Sequence, residues 1–164
     1  MPNLDNANTA YQNLPSQLQS LILATVNADG SPAVSYAPYV MDESYQMYIF
    51  ASGLASHTAN LVSRRDVSVL FIADESQSPQ IFARQRLTYQ CEVRPIPRDS
   101  SLWPAVIQKF AERFGEIIET LSSLGDFQVF QLSPRSGRFV MGFGAAYEVD
   151  PDHLGQLKPS ALRG

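Results

Sequence analysis

The chain has 164 residues, of which 45% are hydrophobic and 17% charged, a composition that suits one compact domain and excludes a disordered segment. Its formal net charge is -4 and its twelve Lys and Arg residues form no basic run, so nucleic acid is not expected as a partner. One cysteine and two histidines favour neither a disulfide framework nor a zinc site, and no apolar run approaches the about 20 residues that span a bilayer, so we expect a cytoplasmic protein without a metal centre.

The first strand signals follow a polar start. Residues 1–20 predict a loose arm that ends in a short helix around residues 15–20. After them, LILATVNADGSPAVSYAPYV contains two β-rich runs around Asp29 and Gly30, which predict a hairpin.

The middle of the chain alternates between strand and helix signals. A turn at MDES leads to the strand YQMYIFAS, a short helix from about Ser56, and the strand DVSVLFIAD. The run IFARQRLTYQCEVRPI predicts one long half-buried strand, because every second residue from Leu87 to Val93 is apolar. Between residues 101 and 124 the apolar positions recur every four residues, which predicts two helices that meet near Gly115.

The last segments complete a mainly β fold. DFQVFQLSP and RFVMGFGAAYEVD predict two strands joined by a turn at RSG, and residues 151–164 predict an irregular tail. Strands joined mostly by hairpins, with helices inserted between them, indicate an α+β fold built on a mainly antiparallel barrel. We therefore expect an arm and helix over residues 1–20, a barrel domain over 21–150 and a tail over 151–164.

The segment ASGLASHTANL places hydroxyl groups and a histidine where a strand gives way to a helix. Free backbone N–H groups at a helix N-terminus, with Ser56, His57 and Thr58 beside them, could bind an anion such as a phosphate. A simpler interpretation makes Ser56 the N-cap and leaves His57 on the surface.

The segment ARQRLT allows two interpretations in the same way. Arg84 and Arg86 could neutralise a phosphate, although arginines on a half-exposed strand usually serve solubility. Gln85 is expected on the opposite face with Leu87, where its amide needs a hydrogen-bond partner that a ligand or a buried water would supply.

Several motifs occur together in an order that is specific to one family. LATVNADGSPAVSYAPYV, ASGLASHTANL, DVSVLF, FARQRLT, WPAVIQKFAERFGEII and DFQVFQLSPRSGRFVMGFGAAYEV closely resemble the haem-utilisation HugZ/HutZ-like branch of the pyridoxamine 5'-phosphate oxidase-like FMN-binding split-barrel superfamily. The resemblance covers nearly all of residues 21–149. It implies a homodimer of six-stranded antiparallel split β-barrels, with FMN in a cleft between the subunits.

The resemblance also implies a set of cofactor-binding residues. Ser52, Ser56, His57 and Thr58 would hold the FMN phosphate, Arg84 and Gln85 match an Arg-Gln pair of the family, and Ser35 and Tyr36 follow the first hairpin turn. Ser35 stands where pyridoxamine-phosphate oxidases have a phosphate-binding arginine, and His57 and Thr58 replace their Arg-Lys pair. Fewer fixed cations would surround the phosphate, so pyridoxamine-phosphate oxidase activity itself is not expected.

Two function classes follow from the resemblance. The first is an FMN-dependent oxidoreductase with a small-molecule substrate, and the sequence identifies no catalytic acid or base for it. The second is a dimeric haem-binding protein without flavin, for which the family typically uses a histidine in a C-terminal extension; His153 is the nearest substitute in this sequence. A dimer is also expected because the strands are rich in aromatic residues that a monomer would expose, namely Tyr36, Tyr39, Tyr48, Phe82 and Tyr89.

Overall fold

The computed structural model describes residues 3–160, which form four α-helices, eight β-strands and two short 3-10 turns. The helices are α1 (Leu4–Ser16), α2 (Ser56–Ser63), α3 (Leu102–Phe114) and α4 (Ile117–Ser123), and the 3-10 turns are Glu75–Gln77 and Ile81–Ala83. The strands are β1 (Ser20–Val26), β2 (Pro32–Met41), β3 (Met47–Ser52), β4 (Asp66–Ile72), β5 (Arg86–Ile96), β6 (Phe127–Gly142), β7 (Ala145–Val149) and β8 (Leu157–Pro159).

Six of the strands close into an antiparallel barrel. Their order is β3-β2-β1-β4-β5-β6, and β3 also pairs with β6, so that the sheet closes on itself. Strands β7 and β8 extend the sheet from β6. The expected fold, a six-stranded antiparallel barrel with inserted helices, is confirmed.

The barrel interior is filled by every second residue of the predicted strands. Leu21 and Leu23 of β1 point inward, as do Val67, Val69 and Phe71 of β4. The alternation predicted for the long strand is also confirmed, since its inward residues are almost fully buried; they are Leu87, Tyr89, Cys91 and Val93. This strand is shorter than predicted, because it begins at Arg86 and residues 81–83 form a 3-10 turn instead.

The N-terminal segment is a helix, not the loose arm that the sequence predicted. Asn3 caps α1 by accepting a 2.7 Å hydrogen bond from the backbone N–H of Asn6. Ala7, Tyr11 and Leu14 lie on one face of the helix and are at most 1% exposed. The prediction was wrong because mostly polar residues separate these three apolar ones, which makes the helical period weak in the sequence.

Helices α3 and α4 pack on the outside of the barrel, over a second apolar cluster. Residues from four strands and both helices form this cluster: Val40, Tyr48, Phe50, Ile96, Val106, Phe110, Ile118 and Val129. Gly115 joins the helices with a φ of 83°, so the predicted junction is confirmed.

The RSG segment is not a turn, which corrects the prediction for the last hairpin. Strand β6 runs through it with a register shift at Arg135, and Gly137 pairs with Tyr89 of β5. A Cβ atom on Gly137 would lie 2.7 Å from Cδ1 of Tyr89, so a glycine is needed here for close packing. The turn lies at Phe143 and Gly144, where Gly144 has a φ of 66°.

Part of the predicted tail is ordered. Strand β8 pairs with β7 and buries Leu157, so the expectation of an irregular segment is wrong for these residues. Residues 161–164 of that segment lie outside the described residues. Of the helices within residues 3–160, none combines the length and the apolar composition needed to cross a bilayer.

Candidate functional site

Two hydroxyl groups at the β3–α2 junction already have partners within the chain. Ser52 ends β3, and its Oγ accepts a 3.1 Å hydrogen bond from the backbone N–H of Leu54. Thr58 is 3% exposed, and its hydroxyl donates to the backbone carbonyl of Ser52 at 2.5 Å. The N-cap position is Ala55 and not Ser56, and no side chain caps the helix. The Ser52 and Thr58 hydroxyls therefore hold the turn together.

His57 is the candidate residue in this segment with a perturbed pKa. Its side chain is half-buried, and burial lowers the pKa of the imidazole below its usual 6.5. Within residues 3–160 the ring forms no hydrogen bond to another residue. Burial therefore favours the neutral imidazole, whose free nitrogen lone pair is the one that ligates a metal.

The charge around this junction does not suit a phosphate. The Oγ of Ser52 lies 3.4 Å from Oδ2 of Asp126, and the backbone N–H of Gly53 donates to the Asp126 carbonyl at 2.7 Å. In the described part of the chain, no Lys or Arg side chain forms a hydrogen bond or ion pair with residues 52–58. A phosphate would meet a carboxylate without a compensating cation, so a single subunit is a poor fit for the FMN phosphate.

Ser35 and Tyr36 lie side by side on β2 but face opposite sides of the sheet. Ser35 pairs with Leu23, and its Oγ is buried with no hydrogen-bond partner among the described residues. Tyr36 pairs with Ile22 on the outer face and is 67% exposed. These two residues therefore cannot contact one ligand from the same face of the strand.

The outer face around Tyr36 carries an exposed apolar patch. Val34 is 76% exposed, and a hollow of about 330 Å³ lies beside it, lined mainly by apolar residues of β1 and β4. We call the following residues the outer patch: Ile22, Ala24, Val34, Tyr36 and Leu70.

The aromatic residues that were expected to be exposed differ in their surroundings. Tyr36 and Phe82 are exposed, whereas Tyr39, Tyr48 and Tyr89 are at most 3% exposed and belong to the two cores. The expectation was wrong for these three tyrosines, because α1 packs into the core that holds Tyr39 and Tyr89, and α3 and α4 pack into the cluster that holds Tyr48.

Arg84 and Gln85 lie just before β5 and are bound to the end of β4. The Nε of Arg84 donates to the Ala73 carbonyl at 2.6 Å, and its Nη1 lies 3.6 Å from a carboxylate oxygen of Glu75. The Gln85 carbonyl accepts from the backbone N–H of Ala73 at 2.9 Å. Gln85 lies one residue before the first residue of β5, and this hydrogen bond continues the pairing of β4 with β5. Its half-buried side chain forms no hydrogen bond within residues 3–160.

The two predicted halves of the cofactor site lie far apart within one subunit. Helix α2 ends immediately before β4, whereas Arg84 and Gln85 bind Ala73, immediately after β4. Ser52 pairs with Phe127 at the start of β6, and Arg86 pairs with Val140 near its end. The seven residues of β4 alone span about 23 Å at about 3.3 Å per residue. One subunit therefore does not bring the two groups together.

The second histidine lies in a separate cleft. His153 is 68% exposed, and its Nδ1 lies 3.4 Å from Oδ2 of Asp150, which also pairs with Lys158 at 3.1 Å. The cleft has a volume of about 610 Å³ and is bounded by Tyr45 and Gln12. No group of three or more potential metal ligands occurs among residues 3–160. A haem needs less from the protein, because the porphyrin supplies four nitrogen ligands and one imidazole completes the attachment. The two accessible imidazoles fit a haem better than they fit a bare ion.

Two residues of the site were missed by the sequence interpretation. Asp126 reaches Ser52 from a position 74 residues later in the chain, and no local pattern indicates this contact. Asn60 fixes α2 on β1 by donating through Nδ2 to Thr25 Oγ1 and Asn27 Oδ1, each at 3.0 Å. The one available sequence signal for this contact was the amide of Asn60 on the inner face of the short helix.

Comparison with known proteins gives consistent matches. Residues 7–141 match the family described as pyridoxamine 5'-phosphate oxidase. The haem oxygenase HutZ of Vibrio cholerae is 48% identical over 137 residues, which is 83% of this chain and 77% of that protein. The crystal structure of HutZ from Vibrio cholerae, described as a haem storage protein, superposes on this chain with a TM-score of 0.76 at 42% identity. The match covers 82% of this chain and 96% of the HutZ chain. Campylobacter jejuni ChuZ superposes with a TM-score of 0.85 at 28% identity, over 98% of this chain and 64% of ChuZ.

Proposed function

The chain belongs to the pyridoxamine 5'-phosphate oxidase family, and from this premise we propose that it binds haem and acts in haem utilisation. The observation that carries the proposal is the 48% identity to a haem oxygenase across 83% of the chain. This favours the haem interpretation over the flavin-dependent oxidoreductase that the family resemblance first suggested.

The groups at the β3–α2 junction also favour haem over FMN. The Ser52 and Thr58 hydroxyls are engaged in the turn, and Asp126 adds negative charge where the phosphate was expected. A neutral imidazole suits haem iron, and an apolar face suits a porphyrin. His57 would ligate the iron, because it is half-buried and neutral, whereas His153 is paired with Asp150 and largely exposed. When bound, the haem supplies the redox-active iron.

A homodimer is part of the proposal. The outer patch is apolar and exposed, and a second copy of the chain would cover it. A dimer would also let the α2 segment of one subunit approach Arg84 and Gln85 of the other, which a single subunit cannot do. The cofactor would then lie at the subunit interface.

Titration with hemin tests the binding proposal directly. We expect a sharpened and shifted Soret band with one haem per subunit, and much weaker binding of FMN measured by quenching of its fluorescence. His57→Ala should weaken haem binding at least about tenfold, because it removes the proposed iron ligand. The matched variant His153→Ala should keep the wild-type affinity. A chain that binds FMN more tightly than hemin would contradict the proposal.

The oligomeric state is tested by light scattering. Val34→Glu places a charge in the outer patch and should convert a dimer into a monomer, whereas Ile117→Glu, at an exposed isoleucine on α4, should not. If both variants keep the mass of the wild type, or the wild type is a monomer at micromolar concentration, the interface is wrong.

Haem degradation is a second candidate activity, favoured by the description of the relative as a haem oxygenase. The reaction requires dioxygen and an external electron donor, so the haem complex is mixed with ascorbate in air. Loss of the Soret band together with release of iron to a chelator supports degradation. A stable Soret band supports a binding role without degradation.

A further inference from the structure

Arg113, near the end of α3, is a cation with no carboxylate partner among residues 3–160. Its Cζ lies 4.9 Å from the centre of the Tyr39 ring and 5.7 Å from that of Phe114, so aromatic rings cover the guanidinium. Its Nη2 donates to the Leu18 carbonyl at 2.5 Å. Within residues 3–160 no carboxylate lies within 4.0 Å of it.

One donor of this guanidinium is also left without an acceptor. The Nε of Arg113 is buried and has no hydrogen-bond partner in the described chain. A desolvated charge is costly unless it is paired, and buried donors are nearly always bonded. The charge of Arg113 is therefore not offset by a carboxylate among residues 3–160, and an anion in the hollow that Arg113 lines would offset it.

A second cation and a hollow lie next to Arg113. Lys109 is one helical turn earlier, at the i, i+4 spacing that places two side chains on one face, and it forms no ion pair among residues 3–160. Both residues line a hollow of about 280 Å³, whose remaining walls are Val40, Met41 and Glu112. The amide of Gln108 donates to the Glu112 carboxylate at 3.1 Å.

We propose that this hollow between α3 and β2 binds a small carboxylate with a short apolar chain. Lys109 and Arg113, offset by Glu112, leave one positive charge, which matches a carboxylate better than a phosphate monoester of about −1.5 to −2 charges. Val40 and Met41 provide an apolar wall for the ligand's chain. The volume lies just below the about 300–1,000 Å³ of ordinary ligand pockets, so the ligand is small.

Butyrate is the probe, and its binding is measured by calorimetry at constant ionic strength with chloride as the balancing anion. Lys109→Gln should weaken butyrate about fivefold, which corresponds to about 1 kcal/mol. Glu112→Gln should strengthen it, because it removes the negative charge from the lining. The matched control is Arg64→Gln, which removes an exposed arginine next to β4 and should leave the affinity unchanged.

The Arg64→Gln control distinguishes a site from general charge attraction, because it removes the same charge as Lys109→Gln but at a residue outside the hollow. Arg113→Gln should abolish binding, and Lys109→Gln keeps the test valid if that variant fails to fold, because Lys109 is exposed. The proposal is overturned if butyrate gives no heat beyond that of chloride, if Arg64→Gln weakens it as much as Lys109→Gln, or if phosphate binds more tightly than butyrate.

Discussion

Thr58 provides the sharpest test of what the β3–α2 junction does. Its buried hydroxyl donates to the Ser52 carbonyl, and Thr58→Val removes that donor with almost no change in volume. The carbonyl keeps its hydrogen bond from the backbone N–H of Ala55 at 3.1 Å, so the loss of the Thr58 donor costs about 1 kcal/mol of unfolding free energy. For a chain of this length, that lowers Tm by about 2–4 °C.

Ser56→Ala is the matched control, because Ser56 is exposed and does not cap the helix. It should change the unfolding free energy by less than about 0.5 kcal/mol. Thermal unfolding followed by circular dichroism compares both variants with the wild type, and FMN titration is run in parallel. If Thr58→Val melts at the wild-type temperature while FMN affinity falls, the hydroxyl serves a phosphate, and our account of the junction is wrong.

Three further predictions concern buried groups. Burial lowers the pKa of His57, so the unfolded state binds more protons below about pH 6.5; stability should fall as the pH drops through this range, and His57→Gln should flatten that decline in pH-dependent urea melts. Gly137→Ala would place Cβ 2.7 Å from the Tyr89 ring and should cost about 1–3 kcal/mol in denaturant unfolding; an unchanged midpoint would mean that the ring moves freely. Burial raises the pKa of the Cys91 thiol to about 12, so a thiol reagent at pH 8 should label it only after unfolding, and fast labelling of the native chain would contradict its inward position.

The barrel strands were predictable because their signal is local. Alternation along β1, β4 and β5 reports which residues face the interior, and the Asp29-Gly30 turn fixes the first hairpin. The interpretation of RSG failed for a non-local reason. Gly137 is required by the Tyr89 ring of a neighbouring strand, and a sequence alone cannot distinguish a glycine kept for packing from one that makes a turn.

The candidate site was less predictable than the fold, because its members come from distant parts of the chain. Hydroxyl residues near a helix start were recognised, but their availability depends on partners that the sequence does not reveal. Asp126 and the Ser52 carbonyl determine whether those hydroxyls are free. Arg84 and Gln85 were assigned to the same site through a motif, yet their distance from α2 is set by the path of β4.

The ligand that a site can bind therefore depends less on its sequence motif than on its unpaired hydrogen-bond donors and its net charge. A phosphate site needs donors that have no partner in the chain and a cation close enough to offset about two negative charges. At the β3–α2 junction, the Thr58 hydroxyl is bonded to the backbone, Asp126 supplies a negative charge, and His57 is neutral. What remains is an imidazole with a free lone pair at the start of a helix. With Arg and Lys in place of His57 and Thr58, these positions would suit the FMN phosphate. With His57 they offer one neutral nitrogen, which is what the proposed haem ligand requires.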